Sequence, residues 1–138
     1  MDVRGAAADR ARERYSDGGN CAQSVFVALA DVPGAPEIPE SFGGGFTTGI
    51  GGNGCVCGAL AAGVFVLGEH ATRQGLEPGA ARQLAEEMST ALYDEFRERF
   101  GGTCCRVLKR GQTEGSDEWM SDCVRISEET AQIAAGLM

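Results

Sequence analysis

Between Phe42 and Gly54 the chain reads FGGGFTTGIGGNG, with seven glycines in thirteen positions and no charged residue. Glycine loses more backbone freedom on ordering than any other residue, so this run is too costly for a regular helix or strand. It predicts a loop, and the fold has to be built from the segments on either side. Directly behind it stands CVCGALAAGVFVLG, fourteen residues from Cys55 to Gly68 without a charge. Val56, Leu60, Gly63, Val64 and Leu67 repeat at helical spacing, and apolar residues fill the other faces too. That pattern predicts a central, buried helix. It is shorter than the roughly 20 residues that a membrane span requires.

The remaining segments read as helices. Ala6 to Tyr15 is rich in Ala, Arg and Glu and has Gly18 and Gly19 behind it as a stop. Asn20 is placed to cap CAQSVFVALA, whose apolar residues share one face. Val32 to Glu40 holds three of the four prolines and is a loop. Pro78 suits the first turn of a long amphipathic helix through Leu84, Met88, Leu92, Phe96 and Phe100, closed by Gly101 and Gly102. Thr103 can cap a short helix, CCRVLKR. After the loop GQTEGSDEW, Ser121 or Asp122 can cap a last helix through Ile126, Ile133 and Leu137. No alternating strand pattern is present. The expectation is an all-α fold: a single domain over residues 1–138, a helical bundle of about five or six helices with the glycine-rich loop before the central helix.

The net charge is −8. A chain this acidic cannot neutralise phosphates with clustered Lys and Arg, so nucleic acid is not an expected partner. The start, MDVRGAAADRARERY, has no apolar core and carries acids, so it does not read as a signal or transit peptide. Cytoplasmic localisation without membrane insertion is expected.

The chain has six cysteines. In a reducing compartment these are not a disulfide framework and point to redox or metal chemistry. On the predicted helices all six fall in or near a first turn: Cys21 after Asn20, Cys55 and Cys57 after the glycine loop, Cys104 and Cys105 after Thr103, and Cys123 after Ser121 and Asp122. Unpaired N–H groups and the positive end of the helix dipole favour thiolate over thiol there. Arg106, Lys109 and Arg110 add positive potential. The glycine loop offers main-chain N–H groups for hydrogen bonding to sulfur or to an anionic cluster. Against this stands the plainer alternative that each cysteine is a small buried hydrophobe.

The order NCAQSVF, FGGGF, CGALAAG, FGGTCCRVL and then a late cysteine resembles the redox-active protein family named for its C_GCAxxG_C_C pattern. The likeness covers nearly the whole chain. The family's characteristic cysteines match Cys21, Cys57, Cys105 and Cys123, with Cys55 and Cys104 as extras. One departure is visible: Ala62 stands where the pattern has its glycine, and Gly63 follows one position later. The resemblance implies a redox role. A related domain in some multihaem cytochromes holds an iron–sulfur centre, and members often lie near transporter genes.

Three functions follow. In the first, Cys21, Cys57, Cys105 and Cys123 bind an iron–sulfur cluster, 2Fe–2S in type, for electron transfer or redox sensing, with Gly43 to Gly54 wrapping it. In the second, the thiols work without a cofactor by thiol–disulfide exchange; there is no C-x-x-C, so the pair must come from different helices. The third is structural zinc, disfavoured by a C-x-C and a C-C in place of C-x₂₋₄-C pairs. The partner in the redox readings is an unidentified redox protein, and a homo-oligomer is allowed. Other signals are weaker. Gly49, Gly51 and Gly54 fit G-x-G-x-x-G, with Glu69 further on, but no strand precedes them. His70 reads as a surface residue, about 20 Å along the helix from Cys57. Trp119 reads as packing against the last helix, and Glu86-Glu87 and Glu128-Glu129 as solvated faces.

Overall fold

The computed structural model describes residues 2–138. Its elements are α1 (Val3–Ser16), α2 (Cys21–Ala30), α3 (Gly58–Thr72), α4 (Pro78–Phe100), α5 (Cys105–Leu108) and α6 (Asp117–Leu137), with a 3-10 helix (Glu40–Phe46) between α2 and α3. No strand is present among the described residues, and the all-α expectation holds. No described helix is long and apolar enough to cross a membrane.

The packing follows side-chain size. α1 approaches its neighbours through Ala7, Ala8 and Ala11, and α6 presents Ala131, Ala134 and Ala135, so these helices lie close together. α6 also reaches α2, α3 and α4, while α3 packs between α2 and α4. The core they enclose contains Val25, Phe26 and Leu29 of α2, Val66 and Leu67 of α3, Leu92 and Phe96 of α4, and Ile126 of α6. Each such side chain contributes about 1.5–3 kcal/mol on leaving water. Gly63 of α3 sits where a Cβ would come within 2.6 Å of Leu92 Cδ2, so the glycine one place beyond the family position is the one at the α3–α4 contact.

Asn20 organises the site's approach. Its side chain accepts from the Gln23 N–H (2.8 Å), while the Gln23 side chain accepts from the Asn20 N–H (3.1 Å). This is the reciprocal capping box that starts a helix firmly. The Asn20 amide also donates to the Gly43 carbonyl (2.9 Å) and to Thr47 Oγ1 (3.1 Å). One side chain thus fixes both the start of α2 and the glycine-rich segment against it.

Four local expectations are corrected. Glu40–Phe46 forms a 3-10 helix despite Gly43, Gly44 and Gly45, because it is pinned by Asn20 and packed flush on α2. A Cβ at Gly43 would stand 2.9 Å from Ala22 Cβ. Cys55 and Val56 lie outside α3: Val56 forms an isolated antiparallel bridge with Cys104, and Cys57 is the N-cap. α3 is not buried all round, since Val64 and Phe65 are 38% and 50% exposed. Neither Thr103 nor Ser121 nor Asp122 caps a helix. Cys104 precedes α5, and α6 begins at Asp117 under a Ser116 cap that accepts from the Trp119 N–H. Asp117 and Glu118 then suit the positive end of the dipole.

Candidate functional site

Cys21, Cys57, Cys105 and Cys123 line a single cavity of about 70 Å³. They arrive from four separate segments: the first residue of α2, the cap of α3, the first residue of α5 and the second turn of α6. Tyr15, Lys109, Trp119 and the Thr47–Gly49 corner of the loop complete the wall. All six cysteines are free thiols.

The short antiparallel pairing explains which thiols reach the cavity. The Cys57 N–H donates to the Thr103 carbonyl (2.8 Å), and the Cys105 N–H donates to the Cys55 carbonyl (2.7 Å). Val56 and Cys104 are therefore directly opposite and leave the ladder on the same face, away from Cys57 and Cys105. Val56 faces an apolar groove elsewhere on the surface. Neither Cys104 nor Cys55 lines the thiol cavity.

Cys21 and Cys123 are neighbours across α2 and α6. The Cys21 thiol reaches the Cys123 main-chain carbonyl at 4.0 Å, and that carbonyl also accepts from Ser127 Oγ at 2.8 Å. The electrostatics separate the two sulfurs. A hydrogen bond from Cys21 is the largest influence on Cys123, and with Lys109 and Tyr15 it outweighs burial and lowers the thiol to about 6. Cys21 is held well above the usual thiol range by its bond to Cys123, by burial and by Cys57. The geometry supports one thiolate and one thiol in this pair, with the thiolate on Cys123.

Cys57 behaves differently from the expectation for a helix start. Main-chain N–H groups of Leu60 and Ala59 do favour its thiolate, but burial prevails and raises it to about 11. Cys105 is raised as well, chiefly by burial and then by Cys123, with Lys109 pulling the other way. The thiol that is lowered is the one that does not sit at a helix start. The glycine loop is not the expected donor either. The N–H groups of Gly49, Gly51, Gly52 and Gly54 donate to carbonyls within the loop, at Phe46, Gly45, Thr47 and Thr48.

Lys109 supplies the positive charge. It is 5% exposed, its Nζ donates to the Trp119 carbonyl (2.9 Å), and it lies 5.1 Å from the Trp119 ring centroid. Arg106 and Arg110 point to solvent. Trp119, read from sequence as packing, is a wall of the site. Tyr15 carried no sequence signal; its burial, followed by the nearby thiols, keeps its hydroxyl protonated, so it is a donor. His70 is partly buried near the end of α3 with Nδ1 unpartnered and is not part of the cavity wall.

A helical bundle that gathers four thiols at one small cavity and draws one of them to the thiolate defines the frame of a redox-active cysteine protein. The chain belongs to the family described as "Putative redox-active protein (C_GCAxxG_C_C)", whose model matches residues 19–137. It is also similar to an "Uncharacterized protein" of Archaeoglobus fulgidus, 28% identical over 141 residues that cover 96% of this chain and 93% of that one. No solved structure matches the chain significantly.

The four thiols suit a 2Fe–2S cluster in number and kind, since such a cluster takes four thiolates. Among the described residues, however, no three or more His, Cys, Asp or Glu side chains form a group that could hold a metal ion.

Proposed function

We propose that this is a redox protein working through reversible disulfide formation between Cys21 and Cys123. The observation that carries the reading is the contact between these two residues, with a thiolate-favouring environment on one and a protonated partner on the other. A thiolate is the attacking species in disulfide chemistry, and a neighbouring thiol resolves the product. Lys109 and Tyr15 hold the charge on Cys123, and Cys57 and Cys105 keep the cavity lined with sulfur.

The second reading is an iron–sulfur protein. It is favoured by the presence of four cysteines, rather than two, around one cavity. Cys21, Cys57, Cys105 and Cys123 would hold the cluster, which would supply one-electron transfer. A redox partner protein belongs to either reading.

Anaerobic purification of the whole chain separates them. The dithiol reading expects a colourless protein that loses two thiols on oxidation, with the bond mapped to Cys21 and Cys123. A brown protein with iron and acid-labile sulfide overturns that reading and establishes the second.

A further inference from the structure

We propose that the oxidant accepted by this site is a small peroxide, with hydrogen peroxide as the fitting case, and not a disulfide; this rests on the Cys21–Cys123 dithiol reading. Three observations support it. The first is size. A cavity of about 70 Å³ has room for a few water-sized molecules, since one needs about 10–15 Å³. Cys57 and Cys123 are each 6% exposed, so the attacking sulfur is largely covered and borders that small space. A disulfide must align its sulfur–sulfur axis with the attacking sulfur and bring the groups on both ends. Glutathione disulfide or a peptide loop cannot do so in this space, whereas a molecule with two heavy atoms can.

The second is donor chemistry. Peroxide cleavage releases hydroxide, which needs a proton. The Lys109 ammonium and the Tyr15 hydroxyl line the same cavity as Cys123. The third is the neighbour: the Cys21 sulfur lies 4.0 Å from the Cys123 main-chain carbonyl and lines the same cavity, so a sulfenic acid on Cys123 has a thiol at hand.

The step balances without a cofactor. The Cys123 thiolate attacks one peroxide oxygen; a sulfur–oxygen bond forms, the oxygen–oxygen bond breaks, and hydroxide leaves. The hydroxide takes a proton from water and leaves as water, its charge stabilised in passing by the Lys109 ammonium. The Cys21 thiol then attacks the Cys123 sulfenic acid, forming the disulfide and releasing a second water. Two thiols lose two electrons, and hydrogen peroxide is reduced to two waters.

The test exposes reduced whole protein, under anaerobic conditions, to equal concentrations of hydrogen peroxide, cumene hydroperoxide and glutathione disulfide. Intact mass and peptide mapping follow the Cys21–Cys123 bond. Hydrogen peroxide is expected to form it at least about tenfold faster than either bulky reagent, with the preference lost in urea. In Cys21→Ser, hydrogen peroxide should leave an oxygen adduct on Cys123 that dimedone traps. Glutathione disulfide reacting as fast as hydrogen peroxide overturns the substrate class but leaves the pair standing. Absence of a Cys21–Cys123 bond with every oxidant overturns the pair itself. The rate comparison uses the unaltered chain, so it decides the matter even where the variant does not fold.

Discussion

Cys21 and Cys123 stand 102 positions apart in the chain and touch, the Cys21 sulfur lying 4.0 Å from the Cys123 carbonyl oxygen. The contact joins the first turn of α2 to the second turn of α6, and it gives the two sulfurs unequal chemistry. A hydrogen bond between two thiols can stabilise only one of them as thiolate; Lys109 and Tyr15 decide that it is Cys123.

The alkylation of Cys123 should therefore follow a lower pH profile than that of an ordinary thiol. Its rate with iodoacetamide, read peptide by peptide in the mass spectrometer, should rise with a midpoint near pH 6. Cys57, raised to about 11, should stay unreactive at neutral pH. Lys109→Met should move the Cys123 midpoint up, and Lys109→Arg should restore part of the shift. An unchanged midpoint in Lys109→Met would remove the lysine from the account.

The same shift links folding to pH. The folded value of Cys123 lies below that of an unfolded thiol, about 8.5, so the fold favours its thiolate. That contribution is fully present above the unfolded value and is lost as pH falls through about 6. In urea titrations across this window, Cys123→Ser should flatten the loss of stability on acidification.

The extra cysteines should be dispensable. Cys55→Ser and Cys104→Ser should keep the loss of two thiols on oxidation, because neither side chain lines the cavity. Cys21→Ser and Cys123→Ser should abolish it. Cys57→Ser distinguishes the two functional readings: the disulfide survives in a dithiol protein, whereas bound iron is lost from a cluster protein.

Asn20→Ala should cost about 1–2 kcal/mol in equilibrium unfolding, the usual loss for a helix cap. It should also loosen the glycine-rich segment, since the Asn20 amide holds Gly43 and Thr47. Faster hydrogen exchange in residues 43–49 is the accompanying readout.

Gly49→Ala should be harmful in its own way. Gly49 has φ of 69°, and a Cβ there would meet the Cys55 amide nitrogen at 2.5 Å. Strain of this kind costs about 1–3 kcal/mol. Because Gly49 borders the thiols, the variant should also alter Cys123 alkylation.

Local signals read well wherever a short stretch carries its own physics. The Asn20 cap, Pro78 in the first turn of α4 and the left-handed stop at Gly101 were all legible, because each satisfies or terminates main-chain bonding within a few residues. The start of α6 was not. Ser116, Ser121 and Asp122 are all adequate caps in isolation, and Ser116 prevails because Asp117 and Glu118 extend the helix behind it. The glycine-rich segment misled in the opposite sense, since its ordering comes from Asn20 and Ala22, which belong to α2.

From the residues alone came the helical class, the negative net charge and six cysteines clustered near helix starts, and the family resemblance picked out the four that prove to line one cavity. Only the packed structure decided which sulfur ionises. Helix starts favour thiolates locally, but at Cys57 burial prevails, and desolvation depends on what the rest of the chain places around a group. The charge that selects Cys123 comes from Lys109, and the donor beside it from Tyr15 of α1. These groups meet only when α1, α5 and α6 converge, and electrostatic terms of that kind depend on distances in space rather than on spacing along the chain.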